Sequence, residues 1–267
     1  MYELDHIVHF VDNPEQAIEE MTAQGLHVVK GGHHEQWGTY NALSYFGSQY
    51  IEFIGIEDEN KFEKAAKMPY TLHETYEKSN RINGIIRLAI RTTTIQQDAD
   101  MFSAAGLEVY GPEHFSRTRP DGSVVSWQLL HIGHKSQTVP FPFFIQWDKS
   151  NEEREQENKE RGITGTHSVG NVKLKEIVYL IDRLDYPKYL QLLEGVKAEE
   201  HYDEEINANI VTLHLHNIDL KFVCPCGDGP AWDAMLTSEM GINYITFAGA
   251  ETEKIIEYEN GQYVFVK

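Results

Sequence analysis

The most constraining feature of this sequence is a pattern of short segments that occurs more than once. The segment KLKEIVYLID at 173–182 aligns without gaps with ELDHIVHFVD at 3–12. Both segments are apolar and rich in β-branched residues, so each is predicted to be the first strand of a repeated unit. The identical positions of this alignment are Leu4 with Leu174, Ile7 with Ile177, Val8 with Val178, and Asp12 with Asp182.

The repeated unit is predicted to have the order β-α-β-β-β. In residues 1–58 a first strand is followed by a helix that begins at Pro14 and ends near Gly25, and then by three strands. Residues 82–148 repeat the order, with the helix ending at Gly106. We therefore predict an α+β fold in which repeated modules form curved mixed sheets with helices on their outer face.

The domain organisation follows from the repeats. The modules at 1–58 and 82–148 are expected to form one domain, residues 1–150. Residues 151–171 are rich in charge and are expected to be a linker or a solvated helix. Residues 172–267 are expected to hold a third module and a truncated fourth unit without a helix, whose hairpin turn is signalled by Asn260-Gly261.

Charge and composition exclude several classes of function. A formal net charge of −19 argues against tracking the phosphates of a nucleic acid and against docking on anionic lipid. No apolar run approaches the length of about 20 residues that crosses a membrane, and no signal peptide is recognised. Cys224 and Cys226 are separated by one residue, which is too tight for an easy disulfide. A cytoplasmic location is expected.

Two residues of the first module have types that a strand core seldom holds. His6 and His9 lie three positions apart in one strand, so they face opposite sides of the sheet. Glu52 lies between Ile51 and Phe53 in the last strand, where a carboxylate is costly unless it is exposed, paired or bound to a metal. His6 with Glu52 offers one nitrogen and one oxygen ligand, which suit Zn, Mn, Fe or Ni. The alternative is that His6 is a satisfied core histidine.

The assembled segments resemble the glyoxalase-like family of the vicinal oxygen chelate superfamily. The resemblance is carried by LDHIVHFV, GGHHEQWGTYNAL and YIEFIG in the first module, and by RTRPDGSVVSWQLL and PFPFFIQW in the second. It covers roughly residues 1–180. It implies a cleft on the concave face of paired modules, often with a divalent metal, and places His6 beside Glu52 in that cleft, with His9 towards the helix layer.

The metal ligands implied by this resemblance come from the first and last strands of two modules. The expected set is His6, Glu52 and Gln146, because Gln146 matches Glu52 in the second module, whereas Ile86 matches His6 and cannot bind a metal. If the first module pairs with the third, the matching residues are Glu176 and Lys221. His33 or His34 could complete the set, or both could lie on a solvent-exposed bend.

Other residues are candidates for binding the substrate. Asn41 could orient a substrate carbonyl in the cleft, or it could form an ordinary bend. Trp127 and Trp147 could form apolar walls of the pocket, or pack in the core. Arg117 and Arg119 could clamp a carboxylate, or belong to a solvated hairpin.

Three hypotheses for function are open. The first is an enzyme, a metal-dependent lyase, isomerase or dioxygenase, that acts on a small oxygen-rich or aromatic substrate with Glu52 as ligand and general base. The second is a metal-free protein of the bleomycin-resistance type that binds or sequesters a small molecule. In the third, the C-terminal half is an interface and the chain is a homodimer, with the apolar segment QYVFVK pairing either with the body or with a partner.

Overall fold

The computed structural model describes residues 2–118, 122–238 and 240–267. The first half contains two modules joined by two short helices, and a further helix follows them. Its elements are β1 (Glu3–Phe10), α1 (Pro14–Ala23), β2 (Val29–His34), β3 (Thr39–Phe46), β4 (Gln49–Ile56), α2 (Glu59–Ala65), α3 (Leu72–Lys78), β5 (Gly84–Arg91), α4 (Ile95–Ala104), β6 (Glu108–Thr118), β7 (Val124–Gly133), β8 (Phe143–Trp147) and α5 (Asn151–Glu160).

The second half repeats the pattern with one incomplete module. Its elements are β9 (Gly170–Leu180), α6 (Asp185–Leu190), β10 (Lys197–Asp203), β11 (Ala208–His214), β12 (Asp219–Pro225), α7 (Pro230–Thr237), β13 (Gly241–Ala250), β14 (Lys254–Tyr258) and β15 (Gly261–Val266). None of the helices in the described residues is both long and apolar enough to cross a bilayer. The predicted α+β architecture of repeated modules is confirmed.

Local sequence signals set the ends of the first helix. The Asn13 side chain accepts a hydrogen bond from the backbone N–H of Gln16 at 3.1 Å and so caps the helix. Pro14 fits the first turn because its missing N–H would have no helical partner there. Gly25 follows the helix with φ of 101°, a conformation that glycine adopts without steric cost. Ala17 and Met21 face the core from one side of this helix.

The two modules of the first half form one sheet, in the strand order β2-β3-β4-β1-β5-β8-β7-β6. The first strands of the two modules, β1 and β5, are antiparallel neighbours at its centre. Across this contact His6 pairs with Ala89 and Val8 pairs with Arg87. A twofold axis that relates the two modules exchanges the pair of His6 and Ala89 with the pair of Val8 and Arg87. The second-module counterpart of His6 is therefore Arg87, and the expected counterpart, Ile86, was wrong by one residue.

The second half forms a seven-stranded sheet in the order β10-β11-β12-β9-β13-β15-β14. Its centre again pairs two first strands, β9 and β13, in antiparallel fashion. The terminal segment that forms β15 lies between β13 and β14, so it pairs within the chain. The concave face of this sheet is covered by α7, where Ala231 packs on Val178, Ile210 and Val223.

The convex faces of the two sheets pack against each other and enclose the largest core. This core also takes in the buried faces of α1, α4 and α6. His9 lies in this contact. It bonds to the Tyr263 hydroxyl and lies 3.2 Å from the Glu259 carbonyl oxygen, both on the second sheet. His9 therefore faces the opposite side from His6, as expected, but its partners belong to the second sheet rather than to the helix layer.

The concave face of the first sheet is partly covered by helices from outside its modules. Phe62 of α2 and Tyr76 of α3 pack on Phe10 and close one end. At the other end lies α5, formed by the charged segment that the sequence indicated as a linker or solvated helix. Its Ser150 and Glu153 form a reciprocal capping box, and Arg154 is held against the sheet. A cleft remains open between these two coverings.

Candidate functional site

The cleft of the first sheet contains a cavity of about 160 Å³ that opens to solvent. His6 and Glu52 reach it from the neighbouring parallel strands β1 and β4, and His34 reaches it from β2. Trp127 of β7 and Trp147 of β8 line it from the second module. Strand periodicity explains the arrangement, because side chains two residues apart in a strand share one face.

Glu52 is the carboxylate at the floor of the cavity, and its side chain is almost entirely buried. One of its oxygens accepts a hydrogen bond from the Asn41 amide. The Nε2 atom of His6 lies 3.6 Å from Oε2, and the Nε2 atom of His34 lies 3.8 Å from Oε1. Two imidazoles and an amide therefore surround this carboxylate, and a buried carboxylate requires such partners.

The His6 ring is oriented by Asp5, the residue before it. Asp5 is an extra residue on β1 opposite β5, which places it in a β-bulge and turns its side chain towards the same side as His6. The His6 Nδ1 atom lies 2.8 Å from Asp5 Oδ1, and the ring stacks on Tyr50 at 4.7 Å. Because a carboxylate accepts a hydrogen bond from Nδ1–H, the Nε2 atom of His6 faces Glu52.

Asp5 is buried, and it is also the anchor of α5. Its Oδ2 atom accepts hydrogen bonds from Arg154 Nη1 at 2.9 Å and from Trp147 Nε1 at 2.8 Å. Burial alone would raise the pKa of the Asp5 carboxyl, but the Arg154 guanidinium and His6 hold this pKa well below its usual range. The Arg154 guanidinium also lies 4.0 Å from the ring centre of Trp147.

His34 and Asn41 are held in place from the strands around them. The Nδ1 atom of His34 lies 3.0 Å from the Thr39 hydroxyl. Burial lowers the pKa of His34, the Glu52 charge raises it, and the nearby Arg117 charge lowers it again. Asn41 Oδ1 accepts a hydrogen bond from the backbone N–H of Gly32 at 2.8 Å. Both ends of the Asn41 amide are thus used within the protein, and the residue positions Glu52.

A model of the family described as "Glyoxalase-like domain" matches residues 4–191, which include every side chain of this site described so far. The match covers well over half of the chain. The chain belongs to the glyoxalase-like family. The resemblance to the glyoxalase-like family that was read from the sequence is confirmed.

Solved structures share the fold of this glyoxalase-like protein. A hypothetical protein from Staphylococcus aureus superimposes with a TM-score of 0.79 at 20% identity, over 99% of each chain. A mutant of 4-hydroxymandelate synthase from Streptomyces coelicolor gives a TM-score of 0.55 at 12% identity, over 92% of this chain and 70% of that one. No functionally curated protein matches the sequence.

Two of the residues expected at the site, Gln146 and His33, do not line the cavity, and a third, Arg119, is not among the described residues. Gln146 faces the helix side of the sheet, where its Oε1 accepts a hydrogen bond from the Ile95 N–H at 3.0 Å. Gln146 alternates along β8 with the cavity-lining Ile145 and Trp147, so it cannot share their face. His33 is half exposed, and its Nδ1 lies 2.6 Å from Glu57. Arg119 lies outside the described residues.

The side chains of this cleft do not fit a metal ligated from both modules. Among the described residues, no three His, Cys, Asp or Glu side chains form a metal-binding group. Val8 pairs with Glu52 in the first module and Ala89 pairs with Phe143 in the second, so Phe143 is the counterpart of Glu52. The counterparts of His6 and Glu52 are thus a guanidinium and a phenyl ring, and neither binds a metal ion.

Sequence reasoning missed Asp5, Tyr45, Tyr50 and Arg154 as residues of the site. Asp5 escaped because strict alternation places it opposite His6, and only the bulge reverses this. The S-x-x-E pattern of Ser150 and Glu153 was the available signal for α5, since it is the signature of a capping box. Nothing in the local sequence distinguishes Arg154 from the exposed charges around it.

Proposed function

We propose that this glyoxalase-like protein is an enzyme that binds a small carbonyl compound with an aromatic or apolar body and transfers a proton on it through Glu52. The observation that carries the proposal is the buried Glu52 carboxylate. It faces a cavity with aromatic walls, and in the described residues its neighbours are imidazoles and an amide rather than Lys or Arg. A buried, unneutralised carboxylate is expensive for stability and is typical of a catalytic base.

The pair formed by Glu52 and His6 supplies a base and an acid side by side. The Nδ1–H group of His6 donates a hydrogen bond to Asp5. A second proton can then lie either on Nε2 of His6 or on Oε2 of Glu52. When His6 carries that proton, Glu52 can remove a proton from the carbon next to a substrate carbonyl. The electron pair of the broken C–H bond moves into the carbonyl group, and His6 donates its proton to the oxygen, which yields an enol.

This chemistry is the common first half of isomerase and lyase reactions. Return of the proton to a different carbon gives an isomer, and loss of a leaving group next to the enol gives a lyase product. The aromatic walls formed by Trp127 and Trp147 would exclude water and hold the apolar body of the substrate. A metal-free protein that only binds its ligand would use the same walls without the acid and base.

Deuterium exchange tests this function directly. The probe is 3-benzoylpropionate, which has a phenyl ring and a CH₂ group next to its ketone. In D₂O the protein is expected to accelerate deuterium incorporation at this carbon, followed by NMR. Glu52→Gln keeps the shape but removes the base, so we expect a loss of about 100-fold or more. Glu57→Gln replaces an exposed carboxylate that follows the strand of Glu52, β4, and is the matched control.

Equal exchange rates for Glu52→Gln and the wild-type protein would overturn the proposal. Binding of the probe without any acceleration would leave the binding function in its place. Thermal unfolding of both variants checks that each is folded, because loss of structure would also abolish exchange.

A divalent-metal enzyme is the second candidate. The observation that favours it is that the Nε2 atoms of His6 and His34 both face the Glu52 carboxylate. His6, His34 and Glu52 are not arranged as a metal-binding group in the described residues, so this candidate requires these three side chains, and not Gln146, to draw together around Zn, Mn, Fe or Ni. Elemental analysis of the purified protein decides between the candidates. Near-stoichiometric metal that is lost in Glu52→Gln supports this candidate, and less than about a tenth of an equivalent excludes it.

A further inference from the structure

The charge of the cleft is opposite to the charge of the whole chain. The chain has a formal net charge of −19. The side chains that line the cavity nevertheless include Lys30, Arg117, Arg154 and Arg161, and Glu52 is the carboxylate among them. A concave site with low-dielectric walls concentrates the field of such charges, so this cleft favours an anion although the rest of the surface repels one.

Among the described residues, two of these cations have a carboxylate at ion-pair distance and two do not. Arg154 forms its ion pair with Asp5 at 2.9 Å, and Lys30 lies 3.5 Å from Glu15 outside the cleft. Within residues 2–118, 122–238 and 240–267, no carboxylate lies at ion-pair distance from Arg117 or Arg161. The guanidinium of Arg117 is therefore available to a ligand, and Arg161, which is exposed, lines the same cavity.

The approach of Arg117 to the cleft depends on a glycine of β2. A Cβ atom at Gly32 would lie 2.2 Å from Nη1 of Arg117, so a larger residue there would displace the guanidinium. Arg117 lines the same cavity as His34, and its charge contributes to lowering the pKa of His34 after burial, the larger cause. The strands thus hold the Arg117 guanidinium in the lining of the cavity that His6 and Glu52 also line.

The apolar lining on the other side of the cavity defines the remainder of the ligand. Trp127 and Trp147 lie with ring centres 5.5 Å apart at an angle of 47°, and Tyr45 and Tyr50 line the same space. Such surfaces pack against a flat apolar body. A guanidinium at one side and indole rings at the other are complementary to a molecule with one charged end.

We infer that the cleft selects a small organic anion whose carboxylate or phosphoryl group is bound by Arg117, and whose apolar body packs on Trp127 and Trp147. The inference rests on the proposed function in one respect, that this cleft is the ligand site. A planar guanidinium donates two parallel hydrogen bonds to either anion, which a neutral amide of the same shape cannot accept as strongly.

Calorimetric titration with three matched compounds tests this selectivity. The compounds are 3-benzoylpropionate, its neutral primary amide, and phenacylphosphonate. The acid is expected to bind about tenfold tighter than the amide, or more. Arg117→Gln should weaken the binding of the acid much more than the binding of the amide and so remove this preference, while Arg117→Lys should keep part of it. Arg183→Gln removes an exposed guanidinium that pairs with Asp185, and it should change nothing.

The outcomes separate the two proposals. Equal affinities of the acid and the amide, or a preference that survives in Arg117→Gln, would overturn the anion selectivity. The proposed function would still stand in that case if exchange continued to depend on Glu52. Failure of all three compounds to bind would overturn both. If both anions bind more tightly than the amide, the inference is supported. Comparison of 3-benzoylpropionate with phenacylphosphonate then shows whether Arg117 prefers a carboxylate or a phosphoryl group.

Discussion

At the scale of single residues, Asp5 links His6, which faces Glu52, to the helix that partly covers the cleft. Its two oxygens accept hydrogen bonds from the His6 ring, the Trp147 indole and the Arg154 guanidinium. An ion pair that is buried in this way contributes little net stability by itself, because both charges have lost their water. Removal of one partner leaves the other uncompensated, which costs much more.

We therefore expect Asp5→Asn to lower the free energy of unfolding by about 3–5 kcal/mol, because the Arg154 charge would stay buried without its partner. The exchange activity should fall as well, because His6 loses the acceptor that orients it. Urea denaturation measures the first effect. Asp185→Asn breaks an exposed pair with Arg183 and should cost at most about 1 kcal/mol. A variant Asp5→Asn as stable as this control would show that the Arg154 charge is already solvated.

The sheet face on which a side chain lies could be predicted where a strand keeps the strict alternation of its side chains between the two faces. His6, Glu52, Trp127 and Trp147 share the cavity, as strand periodicity and the family resemblance indicated. Residue type alone could not exclude Gln146, because the second-module counterpart of Glu52 is set by strand pairing, and pairing gives Phe143.

At the scale of elements, β-bulges decide the register between modules. Ile86 is an extra residue on β5 opposite β1, just as Asp5 is an extra residue on β1. Each extra residue moves the side chains that follow it to the other face of the sheet relative to strict alternation along its own strand. The two bulged residues are equivalent, since 86 − 5 and 87 − 6 both equal 81, so the bulges cancel between the modules, and the expected counterpart of His6 was wrong because the sequence alignment used an offset of 80. The sequence carries no signal for a bulge as strong as the one that Pro14 gives for a helix start.

The adjacent glycines of β2 allow a direct test of the packing around Asn41. A Cβ atom at Gly31 would lie 1.9 Å from Asn41 Oδ1 and 2.9 Å from its backbone oxygen. Gly31→Ala should therefore cost about 1–3 kcal/mol and reduce exchange, because the support of Glu52 is displaced. Gly32→Ala meets only the flexible end of Arg117 and should cost less than about 1 kcal/mol. Similar losses in urea denaturation of the two variants would contradict this account.

At the scale of the whole molecule, the repeat predicted curved mixed sheets built from repeated modules but left open which modules pair, and the structure places two first strands at the centre of each sheet. The repeat did not predict that the two sheets pack convex face to convex face, because both faces of β1 are apolar. The covering of the second concave face by α7 was also not predicted, and it leaves the cleft of the first sheet as the candidate site. His9 and Tyr263 join the halves across that contact.

The contact between the halves is expected to weaken in acid. Burial lowers the pKa of His9 to about 4 in the folded protein, whereas an unfolded histidine titrates near 6.5. The unfolded state therefore binds the proton first, and the stability contributed at neutral pH is lost as the pH falls from 6.5 to about 4. This contribution amounts to about 3 kcal/mol. His73 and His131, whose pKa values burial lowers to about 3, add to the same slope.

Replacement of His9 isolates its share of this pH dependence. The free energy of unfolding of His9→Gln, measured by urea denaturation between pH 7 and pH 4, should fall less steeply than that of the wild-type protein. The exposed His201→Gln should keep the wild-type slope. An unchanged slope for His9→Gln would mean that His9 is already protonated in the folded protein or that it titrates in the same way when unfolded.

The most direct test of the central claim is a crystal structure of the Glu52→Gln protein with bound 3-benzoylpropionate. The account predicts that the phenyl ring packs on Trp127 and Trp147, and that the ketone oxygen lies within hydrogen-bond distance of His6 Nε2, with its CH₂ group beside residue 52. A ligand bound outside this cleft, or an empty cleft at saturating concentration of the ligand, would contradict it.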